Sequence, residues 1–159
     1  MGGIFAVTYA AYGSGLWLDV GAGGTMVQST DGLTWTSVAS NTLTDLRSIA
    51  YGTQLSTSTT GVLTATSQFV VVGAAGSVLS SADGASWSAR TLAGAGDLNA
   101  VTYGAQYVAV GAGGKVFISA DGVSWTPAAP VTSQHLYAVA RGTITYSAVG
   151  AAGTNLLSK

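Results

Sequence analysis

The stretch YVAVGAGGKVFISADGVSW, residues 107–125, decides the fold of this 159-residue chain. It contains two short runs of apolar and β-branched residues, a glycine-rich break between them, and an Asp-Gly pair followed by a tryptophan. The segment 110–125 is repeated at 20–35 and 72–87, and a further copy begins at residue 149. The chain therefore consists of four copies of one unit, and the last copy lacks the Asp-Gly pair and the tryptophan.

The distances between equivalent residues are nearly constant from copy to copy. In each complete copy the valine before the glycine-rich break lies 15 residues ahead of the tryptophan, and the leucine that opens the next copy lies 11 residues after it. Only the connection between the first and second runs varies, with separations of 13, 23, 9 and 10 residues. Variation confined to one connection is typical of a loop on one rim of a repeat array.

Each copy divides into four predicted β-strands, because Gly-rich breaks separate runs rich in β-branched and aromatic residues. In the third copy, the fourth strand is predicted to begin at Ser124–Trp125. Four-stranded units repeated every 38 to 52 residues are typical of propeller blades, whereas solenoid repeats are usually shorter. We therefore predict an all-β fold, a β-propeller of antiparallel four-stranded blades in one domain spanning residues 1–159. The predicted repeats are 4–45, 46–97, 98–135 and 136–159.

The fourth repeat is truncated, since its sequence stops before a fourth strand could form. Either this blade has three strands or a partner chain supplies the missing edge. An open edge exposes unpaired N–H and C=O groups, which proteins normally cover. The four blades could close alone, or two chains could build an eight-bladed ring, so a homo-oligomer or an assembly with other proteins is expected.

The composition excludes several classes of protein. Charged residues make up only 7% of the chain and the net charge is −1, so there is no basic patch for nucleic acid. Cysteine is absent, and the single histidine makes a zinc site improbable. No apolar run reaches the roughly 20 residues that span a bilayer, and the first residues do not have the pattern of a signal peptide. We expect no membrane insertion and no cofactor.

The motif Ser-x-Asp-Gly-x-x-Trp, found three times between the third and fourth strands, resembles the Asp-box (BNR) repeat of sialidase-like β-propellers. It is most similar to a shorter variant in bacterial and phage repeat proteins, in which the glycine directly follows the aspartate. The resemblance extends over nearly the whole chain and implies a propeller, but that family includes enzymes, lectins and scaffolds. The motif residues are Asp31, Gly32, Trp35, Asp83, Gly84, Trp87, Asp121, Gly122 and Trp125.

These turns have a structural interpretation that does not depend on the resemblance. An aspartate can accept backbone hydrogen bonds across its own turn, and the following glycine tolerates a positive φ. The tryptophan can then bury a large apolar face between sheets. The alternative, that the aspartates bind calcium or substrate, is disfavoured because three equivalent turns on the periphery of a ring cannot converge on one ligand.

The remaining polar residues do not form a recognisable catalytic set. The other carboxylates are Asp19, Asp45 and Asp97, and the last two occupy a repeat position that holds His135 in the fourth copy. A sialidase would need a glutamate and an arginine cluster, but glutamate is absent and the arginines occupy unrelated repeat positions. The Gly-Ala-Gly-Gly turns do not open a helix, so they lack the basis for phosphate binding. We therefore predict no enzymatic activity.

Two residues depart from the repeat. Asp19 stands where the other copies have valine or alanine, and Arg141 stands where they have tyrosine. One interpretation is that the first and last copies are terminal and that these residues face solvent or each other. The other is that they form an ion pair across the seam that closes the ring or across a subunit boundary.

We expect the chain to be a structural or attachment subunit of a larger assembly, such as a phage virion or a bacterial cell surface. The low charge supports this expectation, since a free surface of this composition would be weakly protected against self-association. The second hypothesis is a lectin that binds glycans, with Trp17, Tyr12 and Tyr137 as candidate aromatic contacts. A glycosidase is a remote third possibility.

Overall fold

The structure, a computed structural model, describes residues 3–10, 15–57 and 59–158. Its strands form three four-stranded antiparallel sheets and one three-stranded sheet, each with the strands in chain order. This confirms the predicted all-β fold and the propeller architecture. The strands are β1 Ile4–Ala10, β2 Leu16–Gly21, β3 Met26–Ser29, β4 Thr36–Ser37, β5 Leu46–Thr57, β6 Leu63–Gly73, β7 Ser77–Ser81, β8 Ser88–Thr91, β9 Leu98–Tyr103, β10 Tyr107–Gly111, β11 Val116–Ser119, β12 Thr126–Pro127, β13 Leu136–Arg141, β14 Tyr146–Gly150 and β15 Asn155–Leu157.

Blades 1, 2 and 3 contain strands β1–β4, β5–β8 and β9–β12, and blade 4 contains β13–β15. The fourth strand of blade 3 starts at Thr126, later than the predicted Ser124–Trp125. Trp125 belongs to the preceding turn, where its indole N–H donates to the Gly122 carbonyl oxygen at 3.3 Å. The long connection of the second repeat forms a hairpin that continues β5 and β6, with pairing as far as Thr57 and Leu63.

The hydrophobic core lies between blades rather than inside one blade. Side chains alternate across each sheet, so every blade has two apolar faces. We call the side packed on the next blade the forward face, for example Val70, Val72 and Val78 of blade 2. The side packed on the previous blade is the backward face, for example Val71 and Leu79 of blade 2. Each buried cluster joins one forward face to the next backward face.

The blades form an open series within the described part of the chain. The innermost strands β1, β5, β9 and β13 pack in sequence against one another, whereas no comparable packing joins blade 1 to blade 4. Val149 on the forward face of blade 4 is 44% exposed, although its equivalents Val72 and Val110 are fully buried. One face at each end of the array is therefore uncovered.

Candidate functional site: turns, clamps and open faces

The first Asp-Gly turn is closed by hydrogen bonds of its own residues. Asp31 Oδ1 accepts from the N–H groups of Leu33 at 2.8 Å and Thr34 at 2.7 Å, and from the Ser29 hydroxyl at 2.9 Å. Ser29 Oγ accepts from the Gly32 N–H at 2.8 Å. The same four bonds, at 2.7 to 3.0 Å, recur in the turns of Asp83 and Asp121.

These bonds favour the ionised carboxylates. Backbone N–H groups of Thr34 and Leu33 and the Ser29 hydroxyl hold the pKa of Asp31 well below its usual range. Equivalent backbone bonds from Ser86 and Ala85 lower the pKa of Asp83 to about 2. At Asp121 burial opposes the shift, but the combined hydrogen bonds outweigh it and the pKa is again lowered. An oxygen of each carboxylate is thus engaged in holding its own turn.

Acid should weaken the fold through these turns, and Asp83→Asn tests this. The folded-state pKa of about 2 lies below the unfolded value, so this contribution to stability is present above about pH 4 and is lost as pH falls toward 2. Asparagine keeps the accepting Oδ1 and does not titrate. We expect the urea midpoint of Asp83→Asn to fall less than that of the wild type between pH 5 and pH 2.5. Equal losses would contradict the assigned role.

A second set of residues connects neighbouring blades through the glycine-rich turns. Asp45 Oδ1 accepts from the Gly23 N–H at 2.8 Å, and Asp97 Oδ1 accepts from the Ala75 N–H at 3.0 Å. Just before blade 4, His135 Nδ1 accepts in the same way from the Gly113 N–H at 3.3 Å. The repeat position shared by Asp45, Asp97 and His135 therefore clamps the preceding blade.

Sequence reasoning did not find a polar chain along the inner strands. Arg47 pairs with Asp97 at 2.9 Å and donates to Asn99 Oδ1 at 2.8 Å. Asn99 Nδ2 in turn donates to the Leu136 carbonyl oxygen at 2.7 Å. The Ala75 N–H bond and the Arg47 guanidinium lower the pKa of Asp97. These residues connect blades 2, 3 and 4. Arg47 and Asn99 share one repeat position but are unlike residues, which concealed the relationship.

The acidic residues and the histidine lie apart from one another among the residues that the structure describes. No three His, Asp or Glu side chains there converge on a point that could hold a metal ion. His135 accepts a backbone N–H and stacks on Tyr137 with ring centroids 6.4 Å apart. In the same described ranges, no helix is long and apolar enough to cross a membrane.

The backward face of blade 1 is one of the two uncovered surfaces. Trp35 is 37% exposed, whereas Trp87 at the equivalent place in blade 2 is 7% exposed. Val27 is half-buried, although its equivalent Leu79 is fully buried. Asp19 lies on this face; burial raises the pKa of its carboxyl, and Oδ1 is buried with no hydrogen-bond partner among the described residues.

The forward face of blade 4 is the other uncovered surface. Besides Val149 it contains Leu157, which is 69% exposed, together with Ser147 and Asn155. The Ser147 hydroxyl donates to Asn155 Oδ1 at 3.3 Å, so these two side chains lie on the same side of the sheet. This face is apolar at its centre and has a small polar pair beside Val149, which opposes Asn155 in the strand register.

The boundary between blades 3 and 4 lacks the tryptophan present at the other two boundaries. Trp87 packs in the core between blades 1 and 2, and Trp125 packs between blades 2 and 3. The three-stranded blade 4 has no equivalent in the described residues. A cavity of about 290 Å³ lies at this boundary, and Val116, Ile118 and Leu156 are among its lining residues.

The structure does not join Asp19 to Arg141 within the chain. The Arg141 side chain lies over Gly104 of blade 3, so it is on the backward face of blade 4. An ion pair between them across a subunit boundary stays a prediction. Of the candidate sugar contacts, Tyr137 is 58% exposed, Trp17 is half-buried and Tyr12 lies outside the described residues.

Comparison with known proteins supports the fold. No protein-family model matches the sequence, and no curated protein matches it. Among solved structures the chain is similar to YCF48 from Cyanidioschyzon merolae, with a TM-score of 0.70 and 18% identity over 99% of this chain and 53% of that one. It is also similar to YCF48 bound to D1 peptide, with a TM-score of 0.59 and 18% identity over 93% of this chain and 47% of that one. The chain has the fold of a β-propeller and spans about half the length of these structures.

Proposed function

We propose that this chain is a non-catalytic β-propeller that acts as a structural or attachment subunit of a larger assembly. The observation that carries the proposal is the pair of uncovered faces at the two ends of the blade array. Val149 and Trp35 are exposed at positions that packing between blades buries elsewhere. Exposed apolar surface of this kind is typical of a protein–protein contact.

The chemistry of the polar residues supports a non-catalytic role. Asp31, Asp83 and Asp121 are committed to their own turns, and Asp45 and Asp97 clamp adjacent blades. A general acid or base needs a carboxyl group that is free to reach a substrate. Asp19 is the carboxylate left over, and it lies on one of the proposed contact faces.

The setting of the assembly is part of the same proposal. The Asp-Gly turns resemble the short Asp-box variant of bacterial and phage repeat proteins, and the chain has few charges for a protein free in solution. We therefore propose a phage virion or a bacterial cell surface. YCF48 has been found with a D1 peptide bound, which supports protein segments as ligands of this fold.

The test measures how the chain migrates in a native extract of its source. A lysine substitution on each uncovered face is compared with the wild type. We expect the wild-type chain to migrate well above its own 15.7 kDa, and Val149→Lys and Val27→Lys to shift it toward the free chain. A lysine at residue 149 would bury an unpaired charge in the contact. A lysine at residue 27, directly opposite Asp19 in the strand register, would occupy that carboxylate and the space that the facing blade needs. The matched control is Ile144→Lys, since Ile144 is 90% exposed on a loop. Wild-type chain migrating as a free monomer would overturn the proposal.

Exposed Tyr137, stacked beside His135, favours carbohydrate binding as a second candidate function. Aromatic rings with nearby polar groups can contact sugars. A glycan array distinguishes the two functions, because reproducible binding to one sugar class that Tyr137→Ala removes would favour the lectin.

A further inference from the structure

The three boundaries inside the chain show which residues meet when one blade packs on the next. The central residue of the backward face is Val71 in blade 2, Ala109 in blade 3 and Ala148 in blade 4, and all three are buried. On the forward face of the preceding blade, three apolar residues surround this central residue at each boundary. These are Leu18, Val20 and Met26 in blade 1, Val70, Val72 and Val78 in blade 2, and Val108, Val110 and Val116 in blade 3.

At the two uncovered faces, three of these four positions carry polar residues. The central backward position of blade 1 is Asp19, whose Oδ1 is buried without a hydrogen-bond partner among the described residues. On blade 4 the surrounding forward positions are Ser147, Val149 and Asn155. The polar departures from the repeat thus fall where the two faces would meet, with a carboxylate acceptor on one side and the Asn155 amide donor on the other. The Ser147 hydroxyl donates to Asn155 Oδ1.

We propose that a second copy of this chain packs the forward face of its blade 4 on the backward face of blade 1, where the Asp19 carboxylate accepts a hydrogen bond from the Asn155 amide of that copy. Two such contacts join two copies head to tail into one ring of eight blades. The inference rests on the proposed function and names its partner. The contact repeats the blade packing already present three times within the chain.

The chemistry of the two uncovered faces favours a second copy in this arrangement. The faces differ from one another, so a contact of one face with the other joins complementary surfaces, whereas a contact of a face with its own equivalent pairs like with like. A contact of blade 1 with blade 1 would bring two Asp19 carboxylates together, which is unfavourable.

Arg141 does not fit this contact as the partner of Asp19. Its side chain lies over Gly104 on the backward side of blade 4, whereas the proposed contact uses the forward side. Asn155 and Ser147 already lie together on the forward side, with their side chains 3.3 Å apart.

Mixing two blocked variants of the purified chain tests the orientation. Val149→Lys blocks the forward face of blade 4, and Val27→Lys blocks the backward face of blade 1. We expect the wild-type chain to be a dimer in native mass spectrometry, each variant alone to be a monomer, and the mixture to form a heterodimer through its one intact contact. Trp35→Lys replaces Val27→Lys if that variant does not fold. A wild-type monomer, or a single variant that still dimerises, would overturn the head-to-tail pair.

A second experiment tests the hydrogen bonds. Asp19→Val leaves the Asn155 amide N–H groups buried without an acceptor in the contact, so we expect the dissociation constant of the pair to rise about tenfold or more. The triple variant Asp19→Val, Ser147→Val, Asn155→Val restores the apolar pattern of the other boundaries and should dimerise more tightly than Asp19→Val alone. Additive effects of the substitutions, or an unchanged dissociation constant for Asp19→Val, would reject the assigned bonds.

The two proposals fail in different ways. A chain that migrates in a large complex in its native extract but is monomeric when pure would overturn the second copy and leave the attachment role standing. A monomer under both conditions would overturn both.

Discussion

Replacing Trp87 with alanine is expected to destabilise the chain by about 3–5 kcal/mol, the usual cost of removing a large buried aromatic side chain. Trp87 is 7% exposed and packs between blades 1 and 2, with its ring centroid 6.3 Å from that of Phe69. Its indole N–H also donates to the Gly84 carbonyl oxygen at 2.9 Å. The substitution therefore removes packing and an anchor of the turn. Thermal unfolding should show a melting temperature lower by on the order of 10 °C.

Trp35→Ala is the matched control for this prediction. Trp35 has the same place in the repeat, but it is 37% exposed because no blade of the chain covers it. At low protein concentration we expect a loss of roughly 1 kcal/mol or less. Similar losses for the two substitutions would show that the tryptophan acts within its own turn, and that packing between blades contributes little.

Replacing Gly114 with alanine should be almost as damaging, for a different reason. Gly114 has φ +71°, and a Cβ atom there would lie 1.9 Å from the Thr132 carbonyl oxygen. Backbone cannot move away as a flexible side chain could. Left-handed strain and overpacking together should cost about 2–5 kcal/mol, measured by urea unfolding.

The adjacent Gly113 provides the control. It also has a positive φ of +66°, but a Cβ atom there would meet nothing within 4 Å. Natural alanines, Ala75 and Ala152, occupy the equivalent position with φ of 53° and 52°. We expect Gly113→Ala to cost about 1 kcal/mol. If both substitutions were equally tolerated, close approach of the Thr132 backbone would not be the reason for glycine at residue 114.

The sequence was sufficient to predict the strands and their order because the repeat determines both locally. Constant spacing around Trp35, Trp87 and Trp125 placed every third strand and turn, and the β-branched runs placed the first two strands. The start of β12 was predicted too early, because a tryptophan has high strand propensity whether it lies in the strand or in the turn before it. Its indole N–H donates to the Gly122 carbonyl oxygen three residues earlier, which places Trp125 in the turn, and strand propensity does not register such a side-chain bond.

Contacts between blades were harder to predict. Asp45, Asp97 and His135 share a repeat position, but the sequence does not show that each side chain reaches the glycine-rich turn of the preceding blade. The unusual character of Asp19 was evident from the repeat. The sequence did not show that Asp19 matches Ser147 and Asn155. That match depends on which face of each sheet packs on the next blade, and the alternation of side chains along a strand does not determine this.

The neighbour-to-neighbour packing of the blades affects how the chain unfolds. Blades 2 and 3 are supported on both sides, whereas blades 1 and 4 are supported on one side, as expected of a repeat protein in which adjacent units stabilise each other. Opening should therefore begin at the terminal blades, where amide protons exchange first, and reach the middle later. A closed ring has no terminal blades, so assembly would convert graded fraying into one cooperative transition whose midpoint rises with protein concentration.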